Sequence, residues 1–456
     1  MNRSAAHSDA PSHRRVLDLT WPVLLANLTI PMVGTVDTAV MGRLPDPAYI
    51  GAVAVGATIF SALYWLFGFL RMGTTGLIAQ AFGSGAATEL GPIAQRALAT
   101  ALAIAAVLLL AMVPIEALSL ALMSSSEGVR ALAEGYFSIR IWGAPAALAY
   151  LAGLGVLFGL QQMRATLYLS LGFNLTNLLL DLFFVLGLGW DVRGVAAGTV
   201  ISETLAATAA WWLVARALRA EGASLAPQPG TWARSKLGAL LSLNGDLIIR
   251  SFFVQAPFFS YTAIGARLGD LTLAANAILM QFFFVMIYAM DAFAHTAETL
   301  CGAAYGAGNR PALIAAATRS SQWAFAIAAL SAVLLGLAQD PLIALLTSNA
   351  DVAAEAARFL PWLLLLPLVA VGAFQLDGIF IGMTLALTMR NAMAVSFALY
   401  ALCLWLALDV LGNHGLWLAL VVFMGARGVL LGVALQNKLR DWQGYTCGGG
   451  GGHGRG

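Results

Sequence analysis

Asp37, Arg71, Arg140, Asp181, Glu203, Asp246, Arg250, Asp291, Glu298 and Asp377 all sit inside stretches that are otherwise apolar. At the centre of a bilayer each such group costs at least ~2.5–3.5 kcal/mol on insertion scales, so it needs a partner, a wet cavity or a proton. Asp37 lies in Val33-Gly34-Thr35-Val36-Asp37-Thr38, with two threonine hydroxyls beside it and Pro31 one and a half turns earlier. That proline frees backbone carbonyls and offers a hinge. Burial in hydrocarbon favours the neutral acid, so a carboxyl there can exchange a proton near neutral pH. The alternative is a carboxyl pinned by hydroxyls to fix helix packing. Asn174, Asn177 and Asp181 are spaced three and four apart, which puts two amides and a carboxylate on one stripe of a helix. Thr199, after Gly198, can complete the cluster. Oxygens in this pattern suit a proton relay or a hard monovalent cation, and a plain interhelical hydrogen-bond seam would use the same residues.

The second half of the chain carries Asp291, His295 and Glu298 at i, i+4 and i+7, three titratable groups on one helix face. Zinc would want further His or Cys ligands, so the pattern reads as a proton path, a cavity lining or an ion pair to Arg250. Asp246 and Arg250, four apart, can also pair with each other. Asp377 sits in Phe374-Gln375-Leu376-Asp377-Gly378, with Gly372, Gly378 and Gly382 spaced for close approach or bending. Phe283, Met286, Tyr288 and Met290, with Phe282, Phe284 and Trp362 near them, could form a wall for apolar cations or serve as packing.

The elements that must position these groups are membrane helices. Of 456 residues, 60% are hydrophobic and 10% charged, against roughly 45–50% and 25% in a soluble domain. Apolar runs at about 15–41, 50–82, 93–114, 131–160, 165–189, 194–217, 237–265, 274–304, 312–338, 355–385, 391–410 and 415–437 are each long enough to cross the hydrocarbon as a helix. They lack the alternation of barrel strands. With the N-terminus inside, cytoplasmic segments hold Arg3, Arg14, Arg15, Arg96, Arg164, Arg216, Arg219, Arg234, Lys236, Arg310, Arg319, Arg390, Lys438, Arg440 and Arg455. Outside loops hold Arg43, Arg130, Arg193, Arg267 and Arg358, so the positive-inside bias puts both termini in the cytoplasm. Cys301, Cys403 and Cys447 imply no disulfide framework.

A shift of about 223 residues lays the chain on itself. Ala81-Phe82-Gly83-Ser84-Gly85 falls on Ala304-Tyr305-Gly306-Ala307-Gly308, and Gly159 falls on Gly382. Gly42-Arg43-Leu44 lies within a residue of Ala266-Arg267-Leu268. Two six-helix halves of the same orientation follow, as in carriers that rock two bundles about a central site. The expected organisation is a polar tail at 1–14, a six-helix lobe at 15–218, a cytoplasmic linker at 219–236, a second lobe at 237–439 and a Gly-rich tail at 440–456. The glycines of Gly83-Ser84-Gly85 and Gly306-Ala307-Gly308 read as helix C-caps.

No Walker-A loop, paired-aspartate diphosphate motif or dinucleotide fingerprint is present, so no cofactor is expected and work must come from an ion gradient. One proton moving down 100 mV supplies about 2.3 kcal/mol. A membrane-embedded enzyme would need a catalytic constellation that the chain lacks, and a channel would lack saturable exchange.

Val36-Asp37 with Met41-Gly42-Arg43-Leu44, Gln80-Ala81-Phe82-Gly83 and its echo Ala304-Tyr305-Gly306 resemble the multidrug and toxic compound extrusion (MATE) family over nearly the whole chain. Asn244-Gly245-Asp246 with Arg250, Gly265-Ala266-Arg267-Leu268-Gly269, Tyr288-Ala289-Met290-Asp291-Ala292-Phe293-Ala294 and Leu376-Asp377-Gly378-Ile379-Phe380-Ile381-Gly382 resemble its DinF branch. The resemblance implies twelve helices in two pseudo-symmetric lobes around a V-shaped cleft, in the bacterial inner membrane. It implies a monomer that exports cationic or amphipathic small molecules against protons or sodium, with no nucleic acid partner. Asp37, Asn177, Asp181 and Thr199 match the family's amino-terminal ion site. Gln255 stands near where the sodium-coupled branch has a glutamate, and Tyr150 near an expected asparagine. Protons are therefore the preferred coupling ion, with sodium at Asp37, Asn177 and Asp181 the alternative and Gln255 a cavity candidate. A flippase for lipid-linked precursors, from the same superfamily, would need a strongly cationic cavity.

Overall fold

The computed structural model describes residues 10–41, 48–123 and 126–442, with residues 30–39 given by backbone course alone. All regular structure among them is helical. The helices are α1 (His13–Met41), α2 (Ala48–Leu66), α3 (Phe69–Gly83), α4 (Ala87–Leu110), α5 (Met112–Leu122), α6 (Glu127–Arg140), α7 (Ala144–Gly159) and α8 (Met163–Asp181). After a π-helical turn, Leu182–Gly187, come α9 (Val192–Ala220), α10 (Arg234–Arg267), α11 (Asp270–Gly306) and α12 (Arg310–Leu337). The chain ends in α13 (Gln339–Leu346), α14 (Ala350–Gly382), α15 (Ala386–Leu411) and α16 (Asn413–Arg440).

Among the described residues, ten spans are long and apolar enough to cross a membrane. The runs expected at 15–41 and 194–217 are α1 and α9, each of 29 residues and ample in length. Neither belongs to the ten: Arg193, Glu203, Arg216 and Arg219 lower the hydropathy of α9, and α1 includes residues 30–39. The runs expected at 50–82 and 131–160 are single spans, Ala48–Gly83 and Glu127–Gly159, each with an irregular turn inside it. Phe67 and Gly68 separate α2 from α3, and a 3-10 turn, Ile141–Gly143, separates α6 from α7 just before Pro145, whose missing N–H suits a helix start. The short helices α5 and α13 were not anticipated.

The helices group into two compact units. The amino-terminal unit comprises Leu19–Ile78 and Ala87–Ile248. Within it α7 packs on α4 and α9, α9 on α6 and α8, and α2 on α6. Small residues permit this: a methyl at Gly155 would lie 2.7 Å from the Arg71 carbonyl oxygen and 2.8 Å from Thr74 Cβ. The connection before α10 is docked rather than loose. Arg96 Nη1 donates to the Thr231 carbonyl at 3.0 Å, Lys236 Nζ to Glu89 Oε1 at 2.7 Å, and Gly91 passes under the Ser224 carbonyl.

The carboxy-terminal unit comprises Met1–Asp18, Ala79–Ala86 and Ile249–Gly456. At its centre α11 and α14 run side by side, with α12 and α16 against α14 and α15 against α16. Gly378 and Gly382 make the contact intimate, lying on the carbonyls of Ala294 and Glu298. Gly372 does not share that role, because a methyl there would meet nothing within 4 Å.

The repeat is written into the turns. Gly85 and Gly308 both take positive φ, 71° and 65°, after helices ending at Gly83 and Gly306. The capping bonds match one for one: Ala86 N to Ala81 O, and Asn309 N to Ala304 O. Among the described residues Gln161 (φ 59°) and Thr384 (φ 54°) are the positive-φ non-glycine residues, and they occupy equivalent places after Gly159 and Gly382. Left-handed backbone costs such residues roughly 1–2 kcal/mol. At Thr384 the neighbouring Gln80 holds the turn, its Nε2 donating to Gly382 O at 2.9 Å and Thr384 Oγ1 at 3.0 Å. The two helix ends that carry the matched caps also cross: a side chain on Gly83 would collide with the Ala303 carbonyl, and one on Gly306 with that of Gln80.

Candidate ion-coupling site

In the amino-terminal unit the expected stripe forms on α8. Asn177 and Asp181 are 1% and 0% exposed, and Asn174 is half-buried. Asn177 Nδ2 donates to Thr199 Oγ1 on α9 at 3.3 Å, and that hydroxyl donates to Val195 O at 2.9 Å. Asn174 Nδ2 donates to the Thr29 carbonyl of α1 at 3.3 Å. The close meeting of α8 and α9 depends on Gly198, where a Cβ would stand 2.5 Å from Asp181 Oδ1. Asn177 Oδ1 is buried and has no hydrogen-bond partner among the described residues. A buried amide oxygen left in this state is costly unless water, a proton donor or an ion meets it. The π-helical turn starts directly after Asp181, a distortion often found at functional positions. Pro31 and the Asp37 side chain fall outside the described residues.

A second buried charge pair closes on itself nearby in the same unit. Arg140 Nη1 donates to Glu203 Oε2 at 2.8 Å, with Nη2 on the other oxygen, and the guanidinium lies 5.0 Å and 5.2 Å from the rings of Phe60 and Tyr64. Gly143 leaves the room, since a Cβ there would be 2.7 Å from Glu203 Oε2. Both charges are matched by geometry, which makes the pair a brace between α6 and α9.

The carboxy-terminal unit resolves its charges differently from expectation. Arg250 pairs with Asp377 rather than with Asp246, four residues away, and Arg427 Nη2 binds the same carboxylate oxygen at 2.6 Å. Arg427, 1% exposed, is the residue that sequence reasoning missed. Its signal was a single guanidinium in Phe423-Met424-Gly425-Ala426-Arg427, overlooked beside the acids. Its guanidinium lies 5.5 Å and 5.3 Å from the ring centroids of Phe374 and Phe423. His295 Nδ1 lies 3.4 Å from Glu298 Oε2, and among the described residues no group of three His, Cys, Asp or Glu is placed to hold a metal. Of the proposed aromatic and Met wall, Phe283, Met286 and Met290 are buried in the packing, while Gln255 and Tyr288 are half-buried. Trp362 Nε1 donates to His414 Nδ1 at 2.9 Å. Another unforeseen tie joins α11 to α16: Asn276 exchanges amide bonds with Asn413, and its Oδ1 accepts from Trp417 Nε1 at 3.0 Å.

Comparison with known proteins matches the MatE family model to residues 22–183 and 247–406, one stretch for each half. The chain belongs to the MatE family. This MATE chain is 40% identical over 430 residues to DNA damage-inducible protein F of Escherichia coli K12, covering 94% of itself and 93% of that protein. It is 26% identical over 448 residues to the multidrug resistance protein PmpM of Pseudomonas aeruginosa, with 94% and 92% covered. A solved outward-facing multidrug resistance MATE transporter of the MOP superfamily superposes with a TM-score of 0.86 over 97% of this chain and 99% of that one, at 17% identity. At that identity the likeness shows the fold. The MATE chain is therefore a multi-pass membrane transporter of small molecules, from a family of transporters and not of enzymes.

Proposed function

We propose that the protein is a secondary active antiporter that exports cationic or amphipathic small molecules in exchange for protons. It acts as a monomer in the bacterial inner membrane with both termini in the cytoplasm. The observation that carries this reading is the buried Asn177–Asp181–Thr199 cluster, with an amide oxygen unsatisfied beside a fully buried carboxyl-bearing residue. Asp37 joins the cluster on the family pattern, and Pro31 supplies the bend that its protonation state would control. Proton coupling is favoured over sodium because Gln255 stands near where the sodium-coupled branch has a glutamate, and Tyr150 near where an asparagine would complete a cation's coordination. Few oxygens then remain to wrap a desolvated cation. A lipid-linked precursor flippase is disfavoured: Arg140 is bound to Glu203, and Arg250 and Arg427 share the single carboxylate of Asp377, so these three guanidiniums leave one net positive charge where a strongly cationic cavity is required.

Everted vesicles loaded by a pH gradient should accumulate a fluorescent cation, and Asp37→Asn at equal expression should abolish this. Retained pH-driven transport in that variant, or transport driven only by sodium, would discard the proton assignment.

A further inference from the structure

Thr318, Ser321 and Gln322 lie on one side of α12, at i, i+3 and i+4, and none of them has a hydrogen-bond partner among the described residues. Their neighbour Ser320 shows the usual alternative, donating back to the Ala316 carbonyl at 2.8 Å. The 28 residues of α12 extend about 42 Å against ~30 Å of hydrocarbon, so the first turn of the helix is interfacial. The three polar groups stand about 12–18 Å along the axis from Arg310, inside the apolar layer. Hydrocarbon tails offer them no hydrogen bond, so a polar partner at that depth is favoured.

These groups form one wall of a cavity of about 610 Å3 in the carboxy-terminal unit, faced by Leu376 and Ile379 of α14 and Leu435 of α16, with Phe325 farthest from Arg310. The facing wall is fixed. Leu376 lies against Gly432, where a Cβ would stand 3.8 Å from Leu376 Cδ1, and the adjacent Asp377 binds Arg427 of α16. At the mouth two basic helix ends meet: Arg310 Nε donates to the Leu439 carbonyl at 3.1 Å, and Lys438, exposed, stands one turn beyond Leu435 on the same side of α16. No acidic residue occurs in 310–325 or 431–440. From the mouth inward the groove therefore offers positive charge, then hydroxyl and amide groups, then apolar side chains. A glycerophospholipid presents its complements in the same order: phosphate, ester carbonyls, acyl chain. A soluble anion matches only the first of these zones.

We propose that this groove is a site for one anionic glycerophospholipid, its phosphate at Lys438 and Arg310, its ester oxygens on Thr318, Ser321 and Gln322, and an acyl chain along Phe325, Leu376 and Ile379. Basic pockets between membrane helices are suited to anionic headgroups. Seated there, the lipid joins α12 to α16 as Asp377 joins α14 to α16. The site stands apart from the antiporter reading and does not depend on it.

The test is a lipid titration of the purified full-length protein in detergent, read by native mass spectrometry, with phosphatidylglycerol and phosphatidylcholine of identical chains. One phosphatidylglycerol should bind about fivefold more tightly than phosphatidylcholine, and Lys438→Ala should erase that preference. Ser321→Ala combined with Gln322→Leu should weaken both lipids about tenfold and leave the preference in place. Arg219→Ala, at an exposed position on α9 in the other unit, should change neither. Each variant is first required to elute and melt like the wild type without added lipid, and Lys438→Arg should keep the preference if Lys438→Ala folds poorly. Equal binding of the two lipids by the wild type, or wild-type behaviour in both groove variants, overturns the proposal. So does displacement of phosphatidylglycerol by soluble glycerophosphate, which would make the site one for a free anion. A disulfide-linked dimer formed by Gln322→Cys and not by the wild type would assign the groove to a second copy of the chain and overturn it as well.

Discussion

The two halves share their turns and differ in what they do with buried charge. In the amino-terminal unit Asn177 keeps an unsatisfied oxygen next to Asp181, while in the carboxy-terminal unit Asp377 takes two guanidiniums on one oxygen. A carboxylate clamped by two arginines ties α10, α14 and α16 together. Asn177 instead leaves a hydrogen bond unmade on a helix that turns π-helical directly after Asp181. The two halves therefore share one architecture, and on the proposed antiporter reading their side chains divide switching from bracing.

The most severe test of that division is Asp377→Asn. It strands Arg250 and Arg427 without an anion and should cost about 3–5 kcal/mol of stability, read as a lowered melting temperature in detergent. A small loss would mean that the clamp is not a brace. Asp181→Asn should behave in the opposite way. Melting should hardly change, whereas proton-driven export should fall about a hundredfold, equivalent to ~2.7 kcal/mol; normal coupling with lost stability would reverse the roles of the two halves.

Smaller effects probe what the halves share. Gly83→Ala and Gly306→Ala each push a methyl into a backbone carbonyl and should cost about 1–3 kcal/mol apiece. Equal losses, combined less than additively in the double variant, would show a single reciprocal contact. Unequal losses would show that only one of the two crossings is tight. Gln161→Gly relieves a left-handed backbone and should raise stability by up to about 1 kcal/mol, measurable by thermal melting.

Much of this was legible in the chain. Periodic turn residues announced the repeat because a helix cap needs glycine at a fixed place, so Gly85 and Gly308 kept step. The α8 stripe was legible because three- and four-residue spacing fixes a helix face regardless of tertiary context. Partner choice was not. Arg250 has Asp246 four residues away yet binds Asp377 on α14, and spacing along one helix says nothing about which neighbour a long side chain will reach. Arg427 was passed over for a related reason: the carboxylate it shares with Arg250 lies fifty positions away, and a lone arginine in an apolar run looks like an interface anchor. The groove beside Leu376 had no signal in residue type, since hydroxyl and aliphatic side chains line hollows and fill helix seams alike.

The crossing of Gly83 with Gly306 has a consequence for how the gene can vary. Each glycine is seated on the carbonyl beside the other's helix end, so the contact is its own mirror image and a mutation at one position cannot be offset by trimming the other, which is already bare. Both codons are held to the smallest residue at once. At this one intersection the two halves must stay alike.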